Sequence, residues 1–195
     1  MRYVLLVALA LLVGACEIKF TMPAYQPVTT DEMKGAIAVQ EFEYRPKQGV
    51  KPNEIRETAA GTVLLTEPVA TYFSNAVRRE LRQAGLSLVT DRCTLSGTVH
   101  DFAVESLGFE ATYMTDVEYR LLGTGPGAGH TGRYQVKFST NKFVDASIFV
   151  ANVQKSISDN IRQLFADPAF RAASARCRGS VQAVLEHGEE GPRPA

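Results

Sequence analysis

The sequence predicts an α+β domain: an antiparallel or mixed sheet of about four to five strands, with two main helices packed on one face. Three observations carry this. Residues 69–84 and 150–165 each place apolar side chains at helical spacing along a single stripe. Residues 111–121 alternate strictly: Ala111, Tyr113, Thr115, Val117, Tyr119 and Leu121 share one face, and Thr112, Met114, Asp116, Glu118 and Arg120 share the other. The order along the chain is strand, helix, three or four strands, helix. Both apolar helix stripes then find one economical partner, the apolar side of the sheet, while its polar side faces water.

The first sixteen residues read MRYVLLVALALLVGAC. Arg2 is a positive n-region, Val4 to Val13 form a short apolar run, and Val13, Gly14 and Ala15 lead into Cys16, which is the layout of a secretory signal. The run is too short to span about 30 Å of hydrocarbon, which takes about 20 residues. Glu17 and Lys19 follow at once, with no stop-transfer pattern. The ending resembles the lipobox of bacterial lipoproteins, in which the cysteine becomes the first mature residue and its thiolate takes the lipid. Two or more acyl chains, palmitate among them, hold a protein firmly to a bilayer, where one holds it marginally. The expected organisation is a signal peptide over 1–15, a lipidated N-terminus and tether over 16–32, an α+β domain over 33–178, and a disordered tail over 179–195.

Within the domain, residues 35–44 are strand-like, with Ile37 and Val39 on one face and Phe42 and Tyr44 on the other. That phase slip predicts a bulge or strand end near Gln40. Residues 45–52 form a polar loop, and one weak strand or a short pair lies between 54 and 65. Thr66 can cap the first helix, whose stripe is Val69, Phe73, Val77, Leu81 and Ala84, with Ala76 beside it. Arg78, Arg79, Glu80 and Arg82 are assigned to its surface, Gly85 to its stop and residues 86–89 to a short strand. A meander follows over 94–105, 111–121 and 134–139. Its first strand slips phase near His100 and Asp101, and a glycine-rich connection spans 123–132. Asp145 can cap the second helix, with Val150, Val153, Ile157, Ile161 and Leu164 as its stripe and Phe149 and Phe165 widening it. Asp167 and Pro168 end it, and a short helix over 168–175 stops near Cys177.

Composition narrows the function. Formal charge is zero over 195 residues and 45% of them are hydrophobic, so a basic nucleic-acid surface and wholesale disorder are both disfavoured. With Cys16 acylated, Cys93 and Cys177 remain. Neither has metal-ligand spacing. In an oxidising compartment such a pair favours a disulfide over two free thiols. His100 and Asp101, adjacent on a strand, should point to opposite faces and cooperate poorly. The glycine-rich stretch from Gly123 lacks the GK[ST] ending of a phosphate loop, and no serine sits in a GxSxG context. No enzyme, metal or cofactor is expected.

These features together resemble the YajG-type family of small bacterial lipoproteins and, more loosely, the auxiliary lipoproteins of ABC-type envelope transporters. The resemblance covers Cys16, the strand from Gly35 to Val39, the helix from Val69 through Gln83-Ala84-Gly85, the strand from Leu95, and Ser139-Thr140-Asn141-Lys142 leading into the last long helix. Cys93 and Cys177 stand outside that pattern. The resemblance implies a periplasm-facing lipoprotein without established chemistry, and its transport relatives imply a partner complex. No binding residue carries over. Glu17 follows Cys16 in place of the aspartate linked to inner-membrane retention in enteric bacteria, so the outer membrane is expected. The expected role is a non-enzymatic accessory or structural part of an envelope assembly, held to the membrane through Cys16. The alternative is a lipid- or glycan-binding carrier with its own apolar pocket between helices and sheet.

Overall fold

A computed structural model describes residues 17–57, 62–88, 92–141 and 146–177. Its elements are β1 (Glu17–Phe20), β2 (Ala38–Val39), β3 (Glu43–Tyr44), β4 (Glu54–Glu57), β5 (Thr62–Leu65), α1 (Val69–Gln83), β6 (Cys93–Leu107), β7 (Glu110–Gly123), β8 (His130–Asn141), α2 (Ala146–Ala166) and α3 (Pro168–Arg176). The fold is α+β with a mixed sheet. β6, β7 and β8 form the antiparallel meander. Three short strands, β2, β3 and β4, then line up in turn along the free edge of β6, all parallel to it. β5 runs antiparallel to β4, and β1 parallel to β5.

The expected four to five strands and two helices are close but too few: among the described residues the sheet has eight strand segments, and α3 is a third helix. The edge beside β6 is broken because its chain leaves the sheet at Phe42. That ring is buried over Gly97, where an added Cβ would sit 2.2 Å from Phe42 Cε2. The Phe42 amide, released from the ladder, donates to Ser74 Oγ at 2.8 Å instead. This accounts for the phase slip near Gln40. The second slip is a register shift between Val99 and Asp101, which leaves His100 as the extra residue of a bulge.

The helix faces follow the periodicity. On α1, Val69, Phe73, Ala76, Val77 and Leu81 are all fully buried. The N-cap differs from expectation: Pro68 occupies it without a side-chain bond, and Thr66 does not cap. The Val69 amide is satisfied by the Pro52 carbonyl at 3.0 Å. At the other end Gly85 turns the chain at φ +91°, a conformation that glycine adopts without a Cβ penalty, and Leu86 N–H returns to the Leu81 carbonyl.

On α2, Val153, Ile157, Ile161, Leu164 and Phe165 are buried, and Phe149 and Val150 pack at the margin. Polar bonds fix its register over the meander. Thr115 Oγ1 donates to the Ser156 carbonyl, Tyr119 Oη donates to Asn160 Oδ1, and Asn160 Nδ2 donates to the Tyr134 carbonyl. Asp167 ends α2 and caps α3, accepting from the amides of Ala169 and Phe170. Asp145, Val89 and the tail over 179–195 lie outside the described residues. No described helix is long and apolar enough to cross a membrane.

Candidate functional site

Cys16 lies outside the described residues, and its covalent neighbour Glu17 opens β1. The stretch read as a tether is packed onto the domain over its described length. After β1, Met22 and Tyr25 are buried. Tyr72 Oη donates to the Pro23 carbonyl and Arg79 to the Tyr25 carbonyl. The anchor point of this strap is Glu80, which sequence patterning places on the α1 surface but which is only 2% exposed. Its carboxylate accepts from Tyr25 Oη at 2.5 Å and from the amides of Val28 and Thr29, each at 3.0 Å. Burial, and then the bond to Glu80, pushes the Tyr25 hydroxyl pKa far above its usual range. Tyr25 therefore stays a neutral donor.

Cys93 begins β6 and Cys177 caps the end of α3, and the two are joined in a disulfide with a Cα separation of 5.7 Å. Both are buried. Around them two distant pieces of chain converge, residues 35–36 and the connection over 123–127. Ala36 N–H donates to the Cys177 carbonyl at 2.6 Å, Arg176 Nη1 donates to the Gly127 carbonyl at 2.9 Å, and Gly123 lies against Cys93 Sγ. Gly35 has φ +136°, and a Cβ there would sit 2.4 Å from the Ser174 carbonyl oxygen, so the backbone passes α3 where only glycine fits. The glycine-rich connection thus wraps the bridge and the end of α3, rather than opening a helix as a phosphate loop does.

The water-facing side of the sheet carries ion pairs. Arg133 forks onto Asp116 with bonds of 2.6 and 2.7 Å, and Arg56 onto Asp101 with bonds of 2.9 and 3.2 Å. The Arg133 bonds hold the Asp116 carboxyl below the usual carboxylate range. His100 and Asp101 correct the expectation of opposite faces: the bulge turns both toward this polar side. They still do not cooperate, because Asp101 is taken by Arg56, while His100 Nε2 lies 3.8 Å from Glu118. A small cleft of about 270 Å³ lies there, lined among others by Glu41, Glu43, Arg45, His100 and Glu118. His100 Nε2 is buried in it without a hydrogen bond.

A second polar cluster joins β8 to α3. His130 Nε2 lies 3.1 Å from Tyr134 Oη, and Tyr134 Oη donates to Asp167 Oδ2 at 2.6 Å. The Tyr134 bond is the main reason that the Asp167 carboxyl is held low, with the two α3 amides adding to it. The His130 side chain is 8% exposed, and its ring packs edge-on against Phe170. Asp167 also caps α3, so this cluster joins β8 to the junction of α2 and α3. An open groove of about 560 Å³ runs between β8 and α2, lined by Lys137, Phe138, Lys155 and Arg162 among others. Among the described residues, no group of three or more His, Cys, Asp or Glu is placed to hold a metal ion.

Protein XCC0632 from Xanthomonas campestris, of the DUF330 family model, superposes with a TM-score of 0.55 at 10% identity, covering 76% of this chain and 92% of that one. A crystal structure of an uncharacterized protein superposes with a TM-score of 0.50 at 12% identity, covering 77% and 97%. At such identities the likeness establishes a shared fold and nothing about activity. No protein-family model and no curated protein matches the chain.

Sequence patterning misses two positions that matter here. Glu80 falls within a run of charged residues, and only its partners, fifty residues upstream, distinguish it. Phe109 forms the turn between β6 and β7 with Gly108, and is 74% exposed. Glycine followed by one residue between two alternating runs is the available signal for that tight hairpin.

Proposed function

We propose that this chain is a lipid-anchored, periplasm-facing envelope lipoprotein. It is acylated at Cys16 and serves without catalysis as an accessory or structural component of an envelope or transport assembly. The observation that supports this best is the bridge between Cys93 and Cys177. A buried structural disulfide belongs to an oxidising compartment, which is where a signal ending in Cys16 leads. Asp101 is engaged by Arg56, and the Tyr134 and Asp167 pair by a hydrogen bond and a helix cap, while His100 Nε2 is left without a hydrogen bond. The resemblance to YajG-type and transport-auxiliary lipoproteins, drawn from Cys16 and the order of elements, agrees with a role in an assembly at the outer membrane.

The carrier alternative needs an apolar pocket between helices and sheet. That space is filled among the described residues by Phe73 against Phe102, Phe42 against Tyr119, and the buried Ile157. Crosslinking in intact envelopes followed by purification of the acylated full chain separates the two. A defined envelope protein complex recovered with the chain supports the accessory role. A stoichiometric lipid or glycan recovered with an otherwise solitary chain overturns it.

A further inference from the structure

Exposed apolar side chains scattered singly are ordinary on protein surfaces. Phe109 differs by where it stands relative to the start of the chain. β1 is parallel to β5, β5 antiparallel to β4, and β4 parallel to β6. β1 therefore runs opposite to β6, and Glu17 opens it at the end of the sheet where β6 turns into β7. Glu17 pairs with Thr62, and Glu57, at the adjoining end of β4, pairs with Val104. The hairpin continues past that level to Leu107 and Gly108 and turns at Phe109. The C-terminal end of β8 lies at the same end, because Asn141 pairs with Glu110. Phe149, in the first turn of α2, packs against Tyr113, which pairs with Val104, so that turn lies at this end too. That turn carries Ile148, which is 40% exposed.

The register leaves no slack at the anchor. One extended residue spans about 3.3–3.6 Å. A lipid on Cys16 would hold the opening residue of β1 within roughly that distance of the bilayer surface, so this end of the sheet must be the end that meets the membrane. Among the described residues, Phe109 and Ile148 are then exposed apolar side chains at that end. We propose that this end of the domain lies on the bilayer, with the Phe109 ring seated among the lipid chains and Ile148 at the interface. The domain is thereby held in one orientation instead of swinging on a tether. This rests on the acylation of Cys16 proposed above, and its occupant is lipid, not a protein partner.

The sequence contains no tryptophan, so Phe109→Trp introduces a single reporter. The acylated full chain carrying it is reconstituted into phosphatidylethanolamine–phosphatidylglycerol vesicles with plain or chain-brominated lipid, and Cys16 acylation is verified by mass. Leu122→Trp is the control, because Leu122 is 60% exposed and pairs with Thr94 at the opposite end of the sheet. The expected result is severalfold quenching of Phe109→Trp by brominated lipid, intermediate quenching of Ile148→Trp, and none of Leu122→Trp. With Cys16 acylated, equal emission of Phe109→Trp in both lipids overturns the orientation and leaves the anchor standing, as does equal quenching of all three variants. Finding Cys16 unacylated overturns both.

Discussion

Tyr25 Oη donates to Glu80 at 2.5 Å across 55 residues of sequence, and the same carboxylate receives the amides of Val28 and Thr29. One buried side chain thus fastens the strap that leads from β1 to the domain. Replacing Glu80 with alanine strands a buried hydroxyl, at about 1–3 kcal/mol, and frees two part-buried amides that water can reach at lower cost. Glu80→Ala is expected to lower the melting temperature and to expose the strap to protease between residues 21 and 32. Tyr25→Phe, which removes one donor and leaves the amides bound, should cost less. Identical melting and cleavage patterns for wild type and Glu80→Ala would remove Glu80 from this role.

The bridge between Cys93 and Cys177 spans 84 residues of sequence. The chain-entropy model gives about 4–5 kcal/mol for a loop of that length, an upper figure because residual structure in the unfolded chain reduces it. Cys177→Ser should therefore destabilise the domain by up to that amount and free the end of α3 first, since Ala36 and Gly127 hold it only through single hydrogen bonds. Hydrogen exchange along α3, compared between the variant and the native protein, is the direct reading. Unchanged protection there contradicts the account.

Acid should weaken the sheet's outer face and the junction of α2 with α3 in a defined direction. The Asp116 carboxyl is depressed chiefly by its bonds to Arg133, and that of Asp167 chiefly by its bond to Tyr134. A folded-state pKa below the unfolded value means that the stabilisation is present above the ordinary carboxylate range and is lost as pH falls through the depressed value. The Asp116 contribution is modest, because the Arg133 side chain is half exposed and solvent screens the pair. Unfolding free energy measured from pH 7 down to pH 3 is expected to fall less steeply in Asp116→Asn than in wild type. An identical slope would contradict the assignment.

Periodicity made the helix stripes and the inner face of β7 legible, since each depends on spacing within one element. Val77, Ile157 and Tyr119 are buried where 3.6-residue and two-residue repeats place them. Pairing between distant segments was not legible in the same way. β2, β3 and β4 are too short to show a repeat, and their parallel alignment on β6 is set by contacts some fifty residues apart. Strict alternation also misassigned one pair. It separated His100 from Asp101, and the bulge that the local phase slip signalled brings both to one face. Glu80 was misplaced for a related reason: a carboxylate beside three arginines reads as surface until a buried tyrosine and two amides reach it from elsewhere. β1 lies in a proline-rich stretch without periodicity, and only its pairing with β5 reveals it.

Cys16 is proposed to carry the lipid that holds the domain to the envelope, and metabolic labelling with a radiolabelled fatty acid is the decisive experiment. The native chain should incorporate the label and remain with the membrane fraction. Cys16→Ser should incorporate none and be released from it. Label retained by Cys16→Ser, or a native chain that carries no label and is recovered in the soluble fraction, contradicts the claim.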